Sequence, residues 1–235
     1  MRNFVGMTRT LFLALWLFAL GLAAQSRPGV APAMTYVDAD GFEQTETAYD
    51  GPAPLTVTFS ANPENLGTWT PRYEWRFTRD AAETPFLVRY DETTQYTFAE
   101  SGMFRVTLLV TFTDGTTSLE YEMDEPFTLT FAESRLEFPN AFSPNGDGVN
   151  DVLRAKDGYE SIVEFRAAVF NRWGRKLYEW TDPADGWDGR ASGNDAPDGA
   201  YYLRVDARGA DGRKYRLRKT ISLLRGYTED GGALE

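Results

Sequence analysis

The chain has no cysteine and no histidine. That excludes disulfide staples, a thiol nucleophile, an imidazole base, and any zinc or copper site built on nitrogen or sulfur. A metal, if one binds, must be a hard cation held by oxygen. Lysine is scarce: Lys156, Lys176, Lys214 and Lys219 are all there are, and all lie in the second half. Carboxylates and lysines alone, with no nucleophile or cofactor motif beside them, do not make a catalytic constellation. The chain therefore reads as a non-enzyme. Long apolar runs are missing too, with one exception. Leu11 to Leu22 is a run of 12 residues, preceded by Arg2 and Arg9 and followed by Ala23-Ala-Gln-Ser26. It is too short to cross roughly 30 Å of hydrocarbon comfortably. Basic start, short apolar centre and small-residue end make residues 1–26 a secretory signal peptide. The mature protein then carries no transmembrane helix and, lacking cysteine, no thioether lipid.

What is present points to a folded, all-β chain. Of the 235 residues 42% are hydrophobic, and 16 Phe, 12 Tyr and 6 Trp exclude a disordered polymer. The length suits one large domain or two of about 100 residues. Charge divides it. Residues 10–134 hold six Arg, no Lys and 18 acids, whereas residues 135–226 hold 16 basic and 14 acidic side chains. A boundary near 134 follows. The acidic first half would repel phosphate, so nucleic acid is not its partner.

Between about 33 and 132 the apolar pattern has period two. Leu55, Val57 and Phe59 alternate with threonines; Tyr73, Trp75 and Phe77 alternate with Glu74 and Arg76; Phe104, Val106, Leu108, Val110 and Phe112 form a longer series. Each set turns one face to a core and one to water. Asp50-Gly51-Pro52, Ser101-Gly102 and Asp114-Gly115 are turn signals between them. No stretch sustains a helical period. This is the pattern of a β-sandwich. The stretches Gly51-Pro-Ala-Pro-Leu-Thr-Val-Thr-Phe-Ser60, Tyr73-Glu-Trp-Arg-Phe77 and Tyr96-Thr-Phe-Ala-Glu-Ser-Gly-Met-Phe-Arg-Val-Thr-Leu108 resemble the PKD domain. The resemblance implies an immunoglobulin-like extracellular spacer or binding module. Trp75, alternating with Tyr73 and Phe77, is expected in the core. Trp69, in Thr68-Trp-Thr-Pro71, falls in a loop and is the candidate exposed aromatic for a ligand.

The segment 135–226 also reads as strands joined by Gly turns, hence a second sandwich. Candidate core positions are Val169, Leu177, Tyr201, Leu203, Val205, Tyr215, Leu217, Ile221 and Leu223. Five motifs run in series: Phe138-Pro-Asn-Ala-Phe-Ser-Pro-Asn-Gly-Asp-Gly-Val-Asn-Asp151, Phe165-Arg-Ala-Ala-Val-Phe-Asn-Arg-Trp-Gly174, Gly186-Trp-Asp-Gly189, Pro197-Asp-Gly-Ala-Tyr-Tyr202 and Thr220-Ile-Ser-Leu-Leu-Arg225. Together they resemble the gliding motility-associated C-terminal domain, the type B sorting domain of the type IX secretion system of Bacteroidota. The resemblance implies that translocon components recognise this domain and carry the protein across the outer membrane. The family ends close to the final Leu-Arg; residues 227–235 are expected to be a disordered acidic tail.

Three places in these halves bear on chemistry. Asn145, Asp147 and Asp151, with a carbonyl from Val149, match the early positions of a calcium loop, although no bidentate Glu follows at the right distance. The same residues also suit an Asx turn that satisfies its own backbone donors. Asp182, Asp185, Asp188, Asp195 and Asp198 crowd one stretch, but in Gly- and Pro-rich sequence that favours loop capping over glycosidase chemistry. Lys214, Arg216 and Arg218 share one strand face, with Arg204 and Arg208 expected nearby. That face is either a solvated one that deters edge pairing or a docking stripe for an acidic partner. The expected protein is two consecutive Ig-like β-sandwiches behind a signal peptide, non-catalytic, secreted or held on the outer cell surface. The alternative is a surface adhesin or carbohydrate-binding module, with a surface glycan or protein as partner.

Overall fold

The computed structural model describes residues 27–80 and 82–226. The signal-peptide and tail readings lie outside those residues. Everything regular in the described chain is β-strand.

The first half folds as two sheets face to face. One has the order Glu43–Glu46, Ala33–Val37, Leu55–Ser60, Thr93–Phe98. The other runs Ala48–Gly51, Phe127–Phe131, Gly102–Thr113, Thr70–Arg79, Leu87–Arg89, with Ser118–Glu122 on the far part of Gly102–Thr113. The period-two residues do what alternation requires. Val57, Phe59, Tyr73, Trp75, Phe77, Phe104, Val106, Leu108, Val110 and Phe112 are all buried in one cluster. Phe59 bridges the sheets, its ring 5.8 Å from Trp75 and 5.4 Å from Phe77. Trp75 is fully buried, and its indole N–H donates to the Asp91 carbonyl at 3.1 Å, so the one polar atom of the side chain is satisfied.

The second half has one regular sheet, in the order Ala141–Phe142, Lys214–Leu223, Gly199–Gly209, Ile162–Phe170, Lys176–Trp180. Its centre is a long hairpin in which Arg204 faces Arg218 and Tyr202 faces Thr220. Ala167, Val169, Tyr201, Leu203, Val205, Ile221 and Leu223 point inward and are buried; Leu177, Tyr215 and Leu217 pack at the margin. The layer opposite differs from a regular sandwich. It consists of two two-residue pairings, Leu153–Arg154 with Gly186–Trp187 and Arg190–Ala191 with Asn194–Asp195, set among loops. The many Gly and Asx turns of this stretch leave too few consecutive residues for longer strands.

The connection between the halves is held by hydrogen bonds. The Ser161 hydroxyl accepts from Ala53 N at 3.1 Å in a buried position, the Ser161 carbonyl accepts from Ala210 N at 2.8 Å, and the Ala210 carbonyl accepts from Ser101 N at 3.1 Å. Ala210 joins the first cluster and Val163 packs against it. In the connecting segment the Ser134 hydroxyl donates to Asp211 at 2.7 Å and lies 2.9 Å from the Tyr215 hydroxyl. Partial burial works against the Asp211 anion, yet donors from Ser134 and Arg213 bring its carboxyl below the usual range.

Candidate functional site

The motifs of the second half converge on one end of its sheet. Phe142, Trp187 and Tyr201 form an aromatic trio there: Trp187 lies 5.4 Å from Phe142 and 5.0 Å from Tyr201, centroid to centroid. The Trp187 N–H donates to the Arg190 carbonyl at 2.6 Å, and the Tyr201 hydroxyl donates to the Pro197 carbonyl at 2.6 Å. The two glycines around Trp187 are there for space. A Cβ on Gly186 would sit 2.5 Å from the Leu153 carbonyl oxygen, and one on Gly189 2.9 Å from Pro144 Cγ. Gly189 also has φ +79°, where an L side chain is strained.

Arg225 closes this end. Its guanidinium donates to the carbonyls of Pro144 (2.9 Å), Gly189 (2.7 Å) and Ala196 (3.3 Å), and its backbone N–H reaches the Asp198 carboxylate at 3.1 Å. One residue thus ties the first, third and fourth motifs to the last, the first and third through its side chain and the fourth through its backbone N–H to Asp198. Asp182, Asp188 and Asp198 accept backbone N–H groups, which is capping.

One motif residue faces outward. Trp173 is 80% exposed at the tip of the hairpin between Ile162–Phe170 and Lys176–Trp180. The Asn171 side-chain oxygen accepts from both Trp173 N and Arg175 N at 3.0 Å, and Gly174 takes φ +78°, so the tip is a built turn. The Arg172 guanidinium stands 5.3 Å from the indole centroid. Beside the tip is a cavity of about 210 Å³ whose lining includes Arg172, Trp173, Asn194, Asp195 and Asp198. Sequence reasoning passed over Trp173. The available signal was its place inside Asn171-Arg-Trp-Gly-Arg175, a turn too tight to return a large side chain to the core.

The sequence-derived sites fare differently. Trp69 is not the exposed aromatic: it is half-buried against the first cluster, because its loop folds back, with Trp69 N donating to the Leu66 carbonyl at 2.7 Å. Asn145, Asp147 and Asp151 do come together, and they hold backbone N–H groups. Asp151 accepts from Gly146 at 2.7 Å and Gly148 at 2.8 Å, Asn145 from Asp147 at 3.0 Å, and Asp147 from Val149 at 2.8 Å. The N–H groups of Gly146 and Gly148 hold the Asp151 carboxyl below its ordinary range. A cation there would compete with those donors for the same oxygens. Among the described residues no group of three or more acids is placed to hold a metal.

Lys214, Arg216 and Arg218 lie on the solvent face of their strand, as expected. Arg204 and Arg208 are directly across from Arg218 and Lys214, but Arg204 pairs with Asp206 at 2.8 Å and Arg208 with Glu164 at 2.6 Å. Among the described residues the side chains of Arg216 and Arg218 have no hydrogen bond and no ion pair.

Residues 136–221 match the family model of the CHU_C Type IX secretion signal domain. The matched family is one of secretion signals and not of enzymes, and the match points to secretion or display at the cell surface. No curated protein matches the chain. Among solved structures it is similar to three N-terminal domains of the highly immunogenic outer capsid protein Hoc of bacteriophage RB49, at 17% identity and TM-score 0.35, over 84% of this chain and 59% of that one. It is also similar to latent dimeric PorU of Porphyromonas gingivalis (13% identity, TM-score 0.24, 86% and 20% of the two chains). A third likeness is to SGBP-B of the Bacteroides ovatus mixed-linkage glucan utilization locus (13%, TM-score 0.26, 86% and 48%). The chain spans less than two thirds of each. Among the described residues no helix is long and apolar enough to cross a membrane.

Proposed function

We propose that the protein is an exported, non-catalytic cell-surface or secreted protein, in which residues 135–226 are the address and residues 33–132, a PKD-like Ig-like sandwich, are the passenger. Residues 1–26 take it through the inner membrane by Sec, and the type IX translocon takes it through the outer. The observation that carries this reading is the family match over 136–221, supported by the convergence of the motifs on one end of the second half. The buried motif residues build that end, and Trp173 with Arg172 is what it offers to a translocon component. Deleting 135–226 should retain the protein in the periplasm; unchanged release to the surface or medium sinks the proposal. Trp173→Ala should leave folding intact, since an exposed side chain contributes little to stability, and should lower export.

A second reading, an adhesin or carbohydrate-binding module, is favoured by the same exposed indole beside a cavity lined by Asn194, Asp195 and Asp198. An aromatic platform next to planar polar groups suits a sugar ring. Glycan arrays with the wild type, Trp173→Ala and Trp69→Ala separate the readings: a glycan binder loses its signal with Trp173→Ala while still being exported.

A further inference from the structure

Among the sheet edges left open in the described residues, one in each half carries a row of like charges, and the two rows are of opposite sign. In the first half, among the described residues, Ser118–Glu122 pairs on one side only, with residues 109–113 of Gly102–Thr113. Leu119, Tyr121 and Met123 pack against the core, and Glu120, Glu122 and Asp124 are exposed. Those three acids make no ion pair among the described residues. In the second half Lys214–Leu223 pairs along its length with Gly199–Gly209; among the described residues its other edge carries a backbone ladder only at Ser222 and Leu223, with Ala141–Phe142, while on the inner side the Tyr215 hydroxyl donates to the Ser134 carbonyl and Lys219 Nζ to the Phe138 carbonyl. Tyr215 and Leu217 pack inward, and Lys214, Arg216 and Arg218 are exposed.

Both edges thus carry like charges at every second residue, Glu120 and Glu122 on one and Lys214, Arg216 and Arg218 on the other, with Asp124 following in the bend after the acidic strand. Side chains two apart on a strand repeat at about 6.8 Å whatever their sign, so the two rows have the same spacing. Both edges also put their apolar residues on the core side and their charges on the solvent side. Joined edge to edge, they would extend one sheet with its faces in register, each acid opposite a base.

We propose that the acidic edge Ser118–Glu122 of one copy pairs with the basic edge of Lys214–Leu223 of a second copy, so that the protein assembles head to tail. Charge decides which pairing is open. Two basic edges repel each other, as do two acidic ones, so the symmetric contacts are disfavoured and the unlike contact remains. A contact between different surfaces leaves a free edge at each end of every pair, and repetition gives a ring or an open row of copies. This inference does not rest on the export route, since it concerns the folded protein alone.

The test is sedimentation velocity on the purified protein from low to high concentration, in about 10 mM and about 1 M salt, where the screening length falls from roughly 30 Å to 3 Å. The wild type should form concentration-dependent oligomers at low salt that dissociate at high salt. Arg216→Glu/Arg218→Glu and Glu120→Lys/Glu122→Lys should each weaken association at least about tenfold, with circular dichroism unchanged because all four side chains are exposed. An equimolar mixture of the two variants should associate again, since each then offers the edge the other lacks. A wild type that stays monomeric at low salt overturns the proposal. So does association that survives both reversals, which would place the contact elsewhere, and so does a mixture that fails to recover.

Discussion

Removing the Arg225 side chain should weaken the second half far more than a residue near the end of the described chain would ordinarily do. Its guanidinium makes three bonds to main-chain carbonyls, at 2.7, 2.9 and 3.3 Å. A hydrogen bond to a charged group contributes about 1.5–3 kcal/mol net. The longest of the three counts for little, and the side chain is 25% exposed, so water replaces part of what is lost. The Gly189 carbonyl keeps a second donor, Ala196 N at 2.9 Å. The expected loss for Arg225→Ala is therefore about 2–4 kcal/mol, not the sum of three full bonds. For a segment of this size that lowers the midpoint by roughly 10–25 °C. Arg225→Lys should recover less than half, because an ammonium cannot reach three carbonyls in a fan as a planar guanidinium does. The assay is thermal unfolding of the whole protein followed by tryptophan fluorescence, in which the buried Trp180 and Trp187 report on the second half. Hydrogen exchange at Ala196 and Leu224 should accelerate in parallel. A midpoint drop under about 5 °C for Arg225→Ala, equivalent to about 1 kcal/mol, would refute the view that this residue locks the motif loops together.

Gly189→Ala should cost about 2–4 kcal/mol, from left-handed strain and from crowding against Pro144 and Arg225; Gly174→Ala has similar φ but open space and should cost about 1 kcal/mol, a contrast that urea midpoints can read. In the first half, burial first and then the Glu92 charge push the Tyr73 hydroxyl up to about 12. A raised folded-state value means stability fully present below the ordinary tyrosine range near 10 and lost as pH rises through about 12; Tyr73→Phe should flatten that alkaline loss. Asp151 is the opposite case, its folded value lowered by Gly146 and Gly148. Its contribution is present above the ordinary carboxylate range and lost as pH falls through the folded value, so Asp151→Asn should reduce the acid sensitivity of the second half. With those oxygens holding N–H groups, millimolar calcium against EDTA should leave the midpoint where it is; an upward shift that disappears in Asp147→Asn/Asp151→Asn would assign the loop to calcium instead.

Much of the first half was legible because its strands are long and half-buried, so that alternation alone sorts Phe104 to Phe112 into core and solvent faces. The second half was legible in its long strands but not in its opposite layer. Leu153–Arg154 and Gly186–Trp187 are too short for any period to show. The two tryptophans judged by local context went opposite ways. Trp75 sits in a strand, where alternation fixes the side it faces. Trp69 sits in a loop, where nothing local says whether the chain folds back. The role of Arg225 was invisible for a different reason: its partners at Pro144, Gly189 and Ala196 are 81, 36 and 29 residues away, and no spacing rule links positions so far apart.

The Ser161 and Ala210 contacts remove the hinge that a junction between two folded halves would ordinarily supply. Bending there means breaking a buried bond between Ala53 and Ser161 and pulling Ala210 out of the first cluster. Whatever takes hold of the second half therefore sets the direction in which the first half points. On a surface, that makes the protein a strut of fixed heading: it projects its distal loops at a set angle and passes a pull on those loops to its base with little give.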